Sequence, residues 1–149
     1  MKIIFVLLFI PFFNIVACSN KFSKYKNQIE VTKSLINKII EKDTASIKKM
    51  LGVNPYDIGL SDEKILSSIE AINKAIGQAS NSKLKDYEFR EYPKNSPNLV
   101  DIIVTIKKIN GSNEYIIVTF VKYIEYGKIY YFELIKSIPK NFDDLPPPE

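Results

Sequence analysis

The chain has 149 residues, with 21 Lys and Arg against 17 Asp and Glu and a formal net charge of +4. It has no His, no Trp and one Cys, which excludes Ser-His-Asp and Cys-His catalysis, zinc sites built on His or Cys, and haem ligation by His. The sequence contains neither a clustered basic face nor a glycine-rich phosphate loop. We therefore expect one domain that binds no nucleic acid, cofactor or metal.

The first 18 residues have the layout of a secretory signal. Lys2 gives a positive start, residues 3–13 are almost wholly apolar, and Ala17 is a small residue directly before Cys18. The apolar run is short for a membrane span, which needs about 20 apolar residues, and Pro11 interrupts it as a helix. We predict a signal peptide over residues 1–17 that is removed from the mature protein.

The four residues from Ile15 to Cys18 (IVAC) resemble the lipobox of bacterial lipoproteins, which is Leu, a small or aliphatic residue, Ala or Gly, and then Cys. The resemblance implies that Cys18 becomes the lipidated N-terminus, with more than one acyl chain and hence a stable membrane anchor. A lone Cys in an exported protein also has no disulfide partner within the chain. The alternative is a stray thiol behind a plain signal or an uncleaved anchor.

A short polar stretch follows the cysteine, and we predict a lipidated tether over 18–23 that leads into a domain over 24–138. Lys21, Lys24 and Lys26 would lie favourably against an anionic lipid surface, or they serve only to keep the tether soluble. Ser19 is not the Asp that signals inner-membrane retention in many Gram-negative lipoproteins. The resemblance therefore favours the outer membrane if the host is Gram-negative.

Three helices are predicted in the first half of the domain. Apolar residues at steps of three and four predict a helix over 25–42. Asp43 or Thr44 caps a short second helix that ends before Gly52, and Ser61 caps a third over 61–76. The buried side chains expected are Ile29, Thr32, Leu35, Ile36, Ile39 and Ile40 in the first helix, Ile47, Met50 and Leu51 in the second, and Ile65, Leu66, Ile69, Ile72 and Ile76 in the third.

From Lys83 the apolar pattern changes to a period of two, which predicts strands over 84–92, 99–109, 114–126 and 128–138. Asn110-Gly111 is a strong hairpin signal, and the tight turn at Gly127 makes the third and fourth strands antiparallel. Residues 139–149 form a proline-rich tail that we expect to be loose. On the second strand, Val100, Ile102, Val104 and Ile106 form one face, and Asp101, Ile103, Thr105 and Lys107 form the other.

Three helices followed by a four-stranded antiparallel meander predict an α+β domain. Because the strands are apolar on both faces, one face should pack on the helices and the other needs a cover, a ligand or a partner. The element order over 24–138 resembles the NTF2-like, cystatin-related fold, in which N-terminal helices fill the concave side of a curved antiparallel sheet of about four strands. The alternative is another helix-on-sheet α+β domain.

Asp101 is the one catalytic candidate, because it interrupts an apolar strand. The NTF2-like resemblance implies a pocket, and some relatives are isomerases or dehydratases that use a carboxylate, Tyr or His projecting into it. Asp101 with one of the sheet tyrosines (Tyr87, Tyr115, Tyr123, Tyr130 or Tyr131) would supply a carboxylate base and a phenol donor. Its position near the start of a strand favours the opposite interpretation, in which the charge points to solvent.

Tyrosine is the second candidate feature, since five of the nine Tyr lie between Tyr115 and Tyr131. Aromatic residues on strands stabilise their cross-strand neighbours, and this structural role is the favoured interpretation. The alternative is an exposed aromatic patch for a partner or ligand, because Tyr is enriched at such interfaces. Tyr123, Tyr126 and Tyr131, which flank Gly127, are the residues expected to form that binding patch.

The function expected from the sequence is that of a membrane-anchored, non-catalytic bacterial lipoprotein of the cell envelope. Its small α+β domain would bind an envelope protein partner or a small apolar ligand. One alternative is an NTF2-like isomerase or dehydratase that uses Asp101 and a Tyr. Another is an envelope structural protein, or an inhibitor or immunity-type protein that occludes the surface of another protein.

Overall fold

The computed structural model describes residues 24–52, 61–80, 84, 86–91, 99–121 and 128–138. The predicted signal peptide, tether and proline-rich tail lie outside these residues, as do Cys18, Tyr123 and Tyr126. What the sequence predicts for them stays a prediction.

The three predicted helices are confirmed as α1 (Lys26–Ile40), α2 (Thr44–Met50) and α3 (Asp62–Gly77). Both predicted caps form: the Asp43 side chain accepts a hydrogen bond from the Ser46 amide, and the Ser61 hydroxyl accepts one from the Lys64 amide. Caps of this kind satisfy amide donors that the first turn of a helix leaves without intrahelical partners.

The break between α1 and α2 is a left-handed turn at Lys42, whose φ is 57°. The Lys42 amide donates to the Ile39 carbonyl at 3.0 Å and the Asp43 amide to the Lys38 carbonyl at 2.9 Å. This is the Schellman arrangement, which usually has Gly at the left-handed position. A lysine at this position is conformationally strained, because side chains other than Gly disfavour positive φ. The turn lets α2 fold back beside α1.

In the part of the chain that the structure describes, four strands form one antiparallel sheet in the order β1-β2-β3-β4. The strands are β1 (Tyr87–Glu91), β2 (Leu99–Lys107), β3 (Asn113–Val121) and β4 (Ile129–Ile135). They begin and end within a few residues of the predicted bounds, except that 122–127 lie outside the described residues. The α+β class, the three helices and the antiparallel meander are therefore confirmed.

The inner face of the sheet is the one that packs on the helices. Alternation along each strand sends every second side chain to this face, as predicted for β2. Its buried members are Val100, Ile102, Val104, Ile106, Ile116, Val118, Phe120, Ile129 and Phe132. The helices add Leu35, Ile36, Ile39, Ile47, Ile65, Ile69, Ile72 and Ala75 to the same cluster.

Two residues assigned to the buried helix stripes are exposed, and those predictions were wrong. Ile40 is 49% exposed and Leu66 is 46% exposed. Each directly follows a buried isoleucine, Ile39 or Ile65, and successive helical residues lie about 100° apart. Ile40 is also the last residue of α1. The apolar stripe of each helix is therefore wider than the side that contacts the sheet.

The outer face of the sheet carries the alternate residues of the same strands. Its buried members are Leu99, Asp101, Ile103, Ile117 and Thr119, all at most 9% exposed. Ile103 and Ile117 are buried but do not belong to the cluster that contains the helices. The prediction that Asp101 points to solvent was wrong, because Asp101 is 0% exposed.

Candidate functional site

The outer face brings one residue from each strand into a polar row. Arg90 on β1 lies opposite Asp101 on β2, Asp101 lies opposite Thr119 on β3, and Thr119 lies opposite Tyr131 on β4. Directly opposed residues on antiparallel strands have Cβ atoms about 4.5–5.5 Å apart, close enough for their side chains to interact. We call these four residues the outer row.

The centre of the outer row is a buried hydrogen bond. The Thr119 hydroxyl donates to Oδ1 of Asp101 at 2.7 Å, and Asp101 is 0% exposed and Thr119 5% exposed. A carboxylate can be buried only if hydrogen bonds and opposite charge compensate for its lost hydration. Arg90, half-buried directly across the β1–β2 pair from Asp101, places a cation on the same face.

Tyr131 closes the row on the β4 side. Its hydroxyl donates to Oε2 of Glu133 at 3.0 Å. Burial first, and then the charge and hydrogen bond of Glu133, raise the pKa of Tyr131 well above its usual range. The phenol therefore stays protonated near neutral pH and acts as a donor. Tyr131 is half-buried and packs against the core, so it contributes to stability as well as to the surface.

The structure brings together only some of the residues proposed from the sequence. Asp101 and Tyr131 share the outer face, but Thr119 lies between them. Tyr115 lies on this face opposite Thr105, whereas Tyr87 lies opposite Val104 of the inner face. Asp101 and Tyr131 therefore share one face but lie two strands apart.

Thr119 and Glu133 were missed by the sequence reasoning. Their signal is the strand register: the hairpin loop is Ile109 to Gly111, closed by the hydrogen bond from the Lys108 amide to the Ser112 carbonyl at 2.9 Å. This three-residue loop, with Gly111 at φ 83°, pairs Asp101 with Thr119. A two-residue Asn-Gly turn would have paired Asp101 with the apolar Phe120.

A second cluster of charged and phenolic groups joins the start of α1 to β1. The Glu91 carboxylate accepts hydrogen bonds from the Tyr25 hydroxyl and from Nζ of Lys24, the latter at 2.9 Å. Tyr25 is only 3% exposed. Burial first, and then Glu91, raise the pKa of Tyr25, and the Glu91 hydrogen bond raises the pKa of Lys24. We call these three residues the entry clamp.

An open cleft of about 420 Å³ lies between the α1–α2 turn and α3. Its lining mixes lysines with apolar and polar side chains: Lys42, Thr44, Leu66, Ile69, Glu70, Asn73 and Lys74. The cleft does not include Asp101, so this cleft and the catalytic candidate are separate. Among the described residues, no three His, Cys, Asp or Glu side chains are grouped so as to hold a metal ion.

Among the described residues, no helix is long and apolar enough to cross a membrane. Comparison of the chain with protein-family models, with curated proteins and with solved structures gave no match.

Proposed function

We propose that the chain is a membrane-anchored bacterial lipoprotein of the cell envelope, held by lipid on Cys18, whose domain binds a partner through the sheet without catalysis. The IVAC sequence before the domain supports the anchor. The observation that carries the binding function is the accessible part of the outer face, where Glu88 is exposed and Tyr115 and Tyr131 are partly exposed beside the buried Ile103 and Ile117. In a Gram-negative host, the outer membrane is the proposed location.

A protein partner fits this face better than a small apolar ligand does. Ile103 and Ile117 lie opposite each other at the centre of the sheet, and Glu88 and Glu133 lie opposite them on the two edge strands. Ile103 and Ile117 are only 3% exposed, so the accessible part of this face is polar and aromatic. Protein interfaces are enriched in Tyr and have a polar rim. A small apolar ligand needs a concave site, and the cleft beside the third helix is open and polar in part.

Photo-crosslinking in the envelope tests the binding surface. A photoreactive residue in place of Glu88, which is exposed on the outer face, is expected to capture a protein partner. The same residue in place of Glu70, which is exposed on α3 in the cleft, is the matched control and should capture none. Crosslinks from position 70 alone would move the binding surface to the cleft and contradict the proposal.

The anchor has its own test. Cys18→Ser should leave the chain unprocessed or release it from the membrane, because the lipid can no longer be attached. Membrane fractionation and intact mass report both results. A variant that stays membrane-bound with the mass of the wild-type product would exclude lipidation at Cys18.

We also propose that the fold is NTF2-like. The supporting features are the order of three helices and four meander strands and the packing of all three helices with the inner face. An experimental structure tests this proposal directly: the sheet should bend strongly, with the helices in its concave side. A flat sheet would favour the other helix-on-sheet α+β arrangement.

The isomerase or dehydratase alternative stays a prediction without a supporting contact. A general base must come within hydrogen-bond reach of the proton that it removes. Asp101 is fully buried and accepts a hydrogen bond from Thr119, which gives the carboxylate a structural role. An inhibitor or immunity-type protein would also act by covering a partner, so the identity of the crosslinked protein separates that alternative from a scaffold.

A further inference from the structure

We infer that the lipid anchor holds one end of the domain against the anionic headgroup surface of the membrane, so that the opposite end faces away from it. This inference rests on the proposed lipidation at Cys18. The near end carries the entry clamp of Lys24, Tyr25 and Glu91. The far end carries the Ile109–Gly111 loop and the end of α3.

The entry clamp fixes the point where the chain enters the fold. Tyr25 is buried in the core cluster, and both its hydroxyl and the Lys24 ammonium bond the Glu91 carboxylate of β1. The first described residue of the domain is therefore tied to the sheet rather than extended from it. Any tether that ends at Lys24 pulls directly on this end of the domain.

The tether is too short to leave the orientation free. Six residue steps separate Cys18 from Lys24, and an extended chain gains about 3.3–3.6 Å per residue, so the reach is at most about 22 Å. A lipidated Cys18 lies at the membrane surface, which holds the near end within that distance. Turning the far end toward the membrane would require the tether to stay fully extended, at a cost in chain entropy.

The topology separates the two ends by the length of α3. Lys48 near the end of α2 pairs with Asp62 at the start of α3 at 2.6 Å, and Leu51 bridges to Ile129. At the other end of α3, Ala79 bridges to Lys108 beside the hairpin loop. The 16 residues of α3 span about 24 Å at 1.5 Å per residue, which is close to the full reach of the extended tether.

The near end carries exposed lysines that an anionic leaflet attracts. At the near end, Lys26 and Lys49 are exposed, and Lys128 donates to the Lys49 carbonyl. At the far end, Lys107 pairs with Asp86 at 3.0 Å, and Lys108 with Glu114 at 2.6 Å. Lysines near an anionic leaflet are attracted to it, and Lys26 and Lys49 are the near-end lysines available for this. At the far end, Lys74 and Lys136 are exposed as well, so the short tether, and not a difference in charge, selects the end that lies near the membrane.

Collision measurements on the intact lipoprotein in phosphatidylglycerol vesicles test the orientation. Asn27→Cys places a nitroxide label at the near end, and Gln78→Cys, at a second exposed polar residue, places one at the far end. Lipidation occupies Cys18, the only native Cys, so each label is unique. Collisions with a nickel-chelating headgroup lipid should be several-fold more frequent at position 27. Equal rates, or a higher rate at position 78, would overturn the inference.

Two further arms separate the causes. The double variant Tyr25→Phe with Glu91→Gln opens the clamp, and Lys24→Gln removes only its surface ion pair. Both variants should bring the ratio of the two collision rates toward one. Their circular dichroism spectra should match that of the wild type. An unchanged ratio in both variants would overturn the role of the clamp. An unchanged ratio in phosphatidylcholine vesicles would overturn the role of headgroup charge. A chain that never partitions to vesicles contradicts the proposed function instead, and its unmodified mass identifies that case.

Discussion

The two faces of the sheet are built from alternating residues of the same strands, yet they are held by different forces. The inner face packs Ile102 and its apolar neighbours against three helices. The outer face buries Ile103 beside the hydrogen-bonded pair of Asp101 and Thr119. Apolar burial is non-directional, whereas a hydrogen bond needs its donor directly opposite. The inner face therefore supplies most of the stability, and the outer face specifies which residues pair.

This difference explains why a charged residue can interrupt β2. A one-residue slip between strands would send every side chain to the opposite face, and Asp101 would then enter the apolar inner layer. Burying a carboxylate without partners costs far more than the hydrogen bond that it makes in the native register. We therefore interpret the pair of Asp101 and Thr119 as a register constraint, and the variants below test how far the two faces differ.

The largest effect is expected from truncating neighbouring isoleucines on opposite faces. Ile102→Ala removes a 0% exposed side chain between sheet and helices, and Ile103→Ala removes a 3% exposed one on the outer face. Truncation of a buried Ile costs about 2–5 kcal/mol; we expect Ile102→Ala near the top of that range and Ile103→Ala near the bottom. Urea unfolding monitored by circular dichroism measures both. Equal decreases in the free energy of unfolding would mean that the two faces are packed alike.

Removing the donor to Asp101 should have the next largest effect. Thr119→Val keeps the shape of the side chain but leaves the buried carboxylate without this hydrogen bond, which costs about 1–3 kcal/mol. The control is Thr105→Val, at a half-buried position on the outer face of β2, which should cost much less. If both variants unfold at the same urea concentration, the bond between Thr119 and Asp101 contributes nothing specific.

Alkaline unfolding tests the β4 side of the outer row. Because the folded pKa of Tyr131 is raised above its unfolded value, its contribution is complete below about pH 10 and is lost as the pH rises further. Tyr131→Phe should cost about 0.5–1.5 kcal/mol near neutral pH and lessen the alkaline loss. The pKa values of Tyr25 and Tyr87 are also raised. The Tyr131→Phe variant should therefore still lose some stability at alkaline pH.

The control for this measurement is Glu133→Gln, which removes the charge but keeps a hydrogen-bond acceptor. Burial is the first cause of the raised Tyr131 pKa, so Glu133→Gln should retain most of the alkaline loss. Denaturant unfolding at several pH values between 8 and 11 compares the variants. A Tyr131→Phe protein with the same pH dependence as the wild type would exclude Tyr131 as a source of that loss.

The smallest change in stability is expected at Leu66, which lies outside the layer that packs between the helices and the sheet. Leu66 is 46% exposed and Ile69, one turn further along α3, is 4% exposed. Leu66→Ala should change the free energy of unfolding by less than about 0.5 kcal/mol, whereas Ile69→Ala should cost about 2–5 kcal/mol. A large loss from Leu66→Ala in thermal unfolding would show that the exposed side of α3 packs on another part of the molecule.

Local chemistry made the helices predictable. Asp43 and Ser61 are capping residues followed by apolar residues at helical spacing, and both caps form as predicted. The period of two predicted all four strands and assigned Val100, Ile102, Val104 and Ile106 to one face, and they share the inner face. These features depend on neighbours within one or two turns of the chain, so the sequence alone specifies them.

The candidate site was predictable only in part. Asp101 was identified because it interrupts an apolar strand, but its partner Thr119 is 18 residues away and becomes its neighbour only through the three-residue hairpin loop. Asn110-Gly111 predicts the hairpin without its loop length, and a change of one residue in that loop changes every pair. The burial of Asp101 is likewise a property of the assembled sheet.

The sequence by itself therefore determined which segments become helices and strands, which face of each strand is apolar, and the single cysteine that suits a lipid anchor. Tertiary structure decided that Asp101 is buried, that Thr119 is its donor, and that Ile40 and Leu66 lie outside the core. The physical reason is the range of the interactions: caps and periodicity act between near neighbours in the chain. Burial and cross-strand pairing depend on residues that only the folded chain brings together.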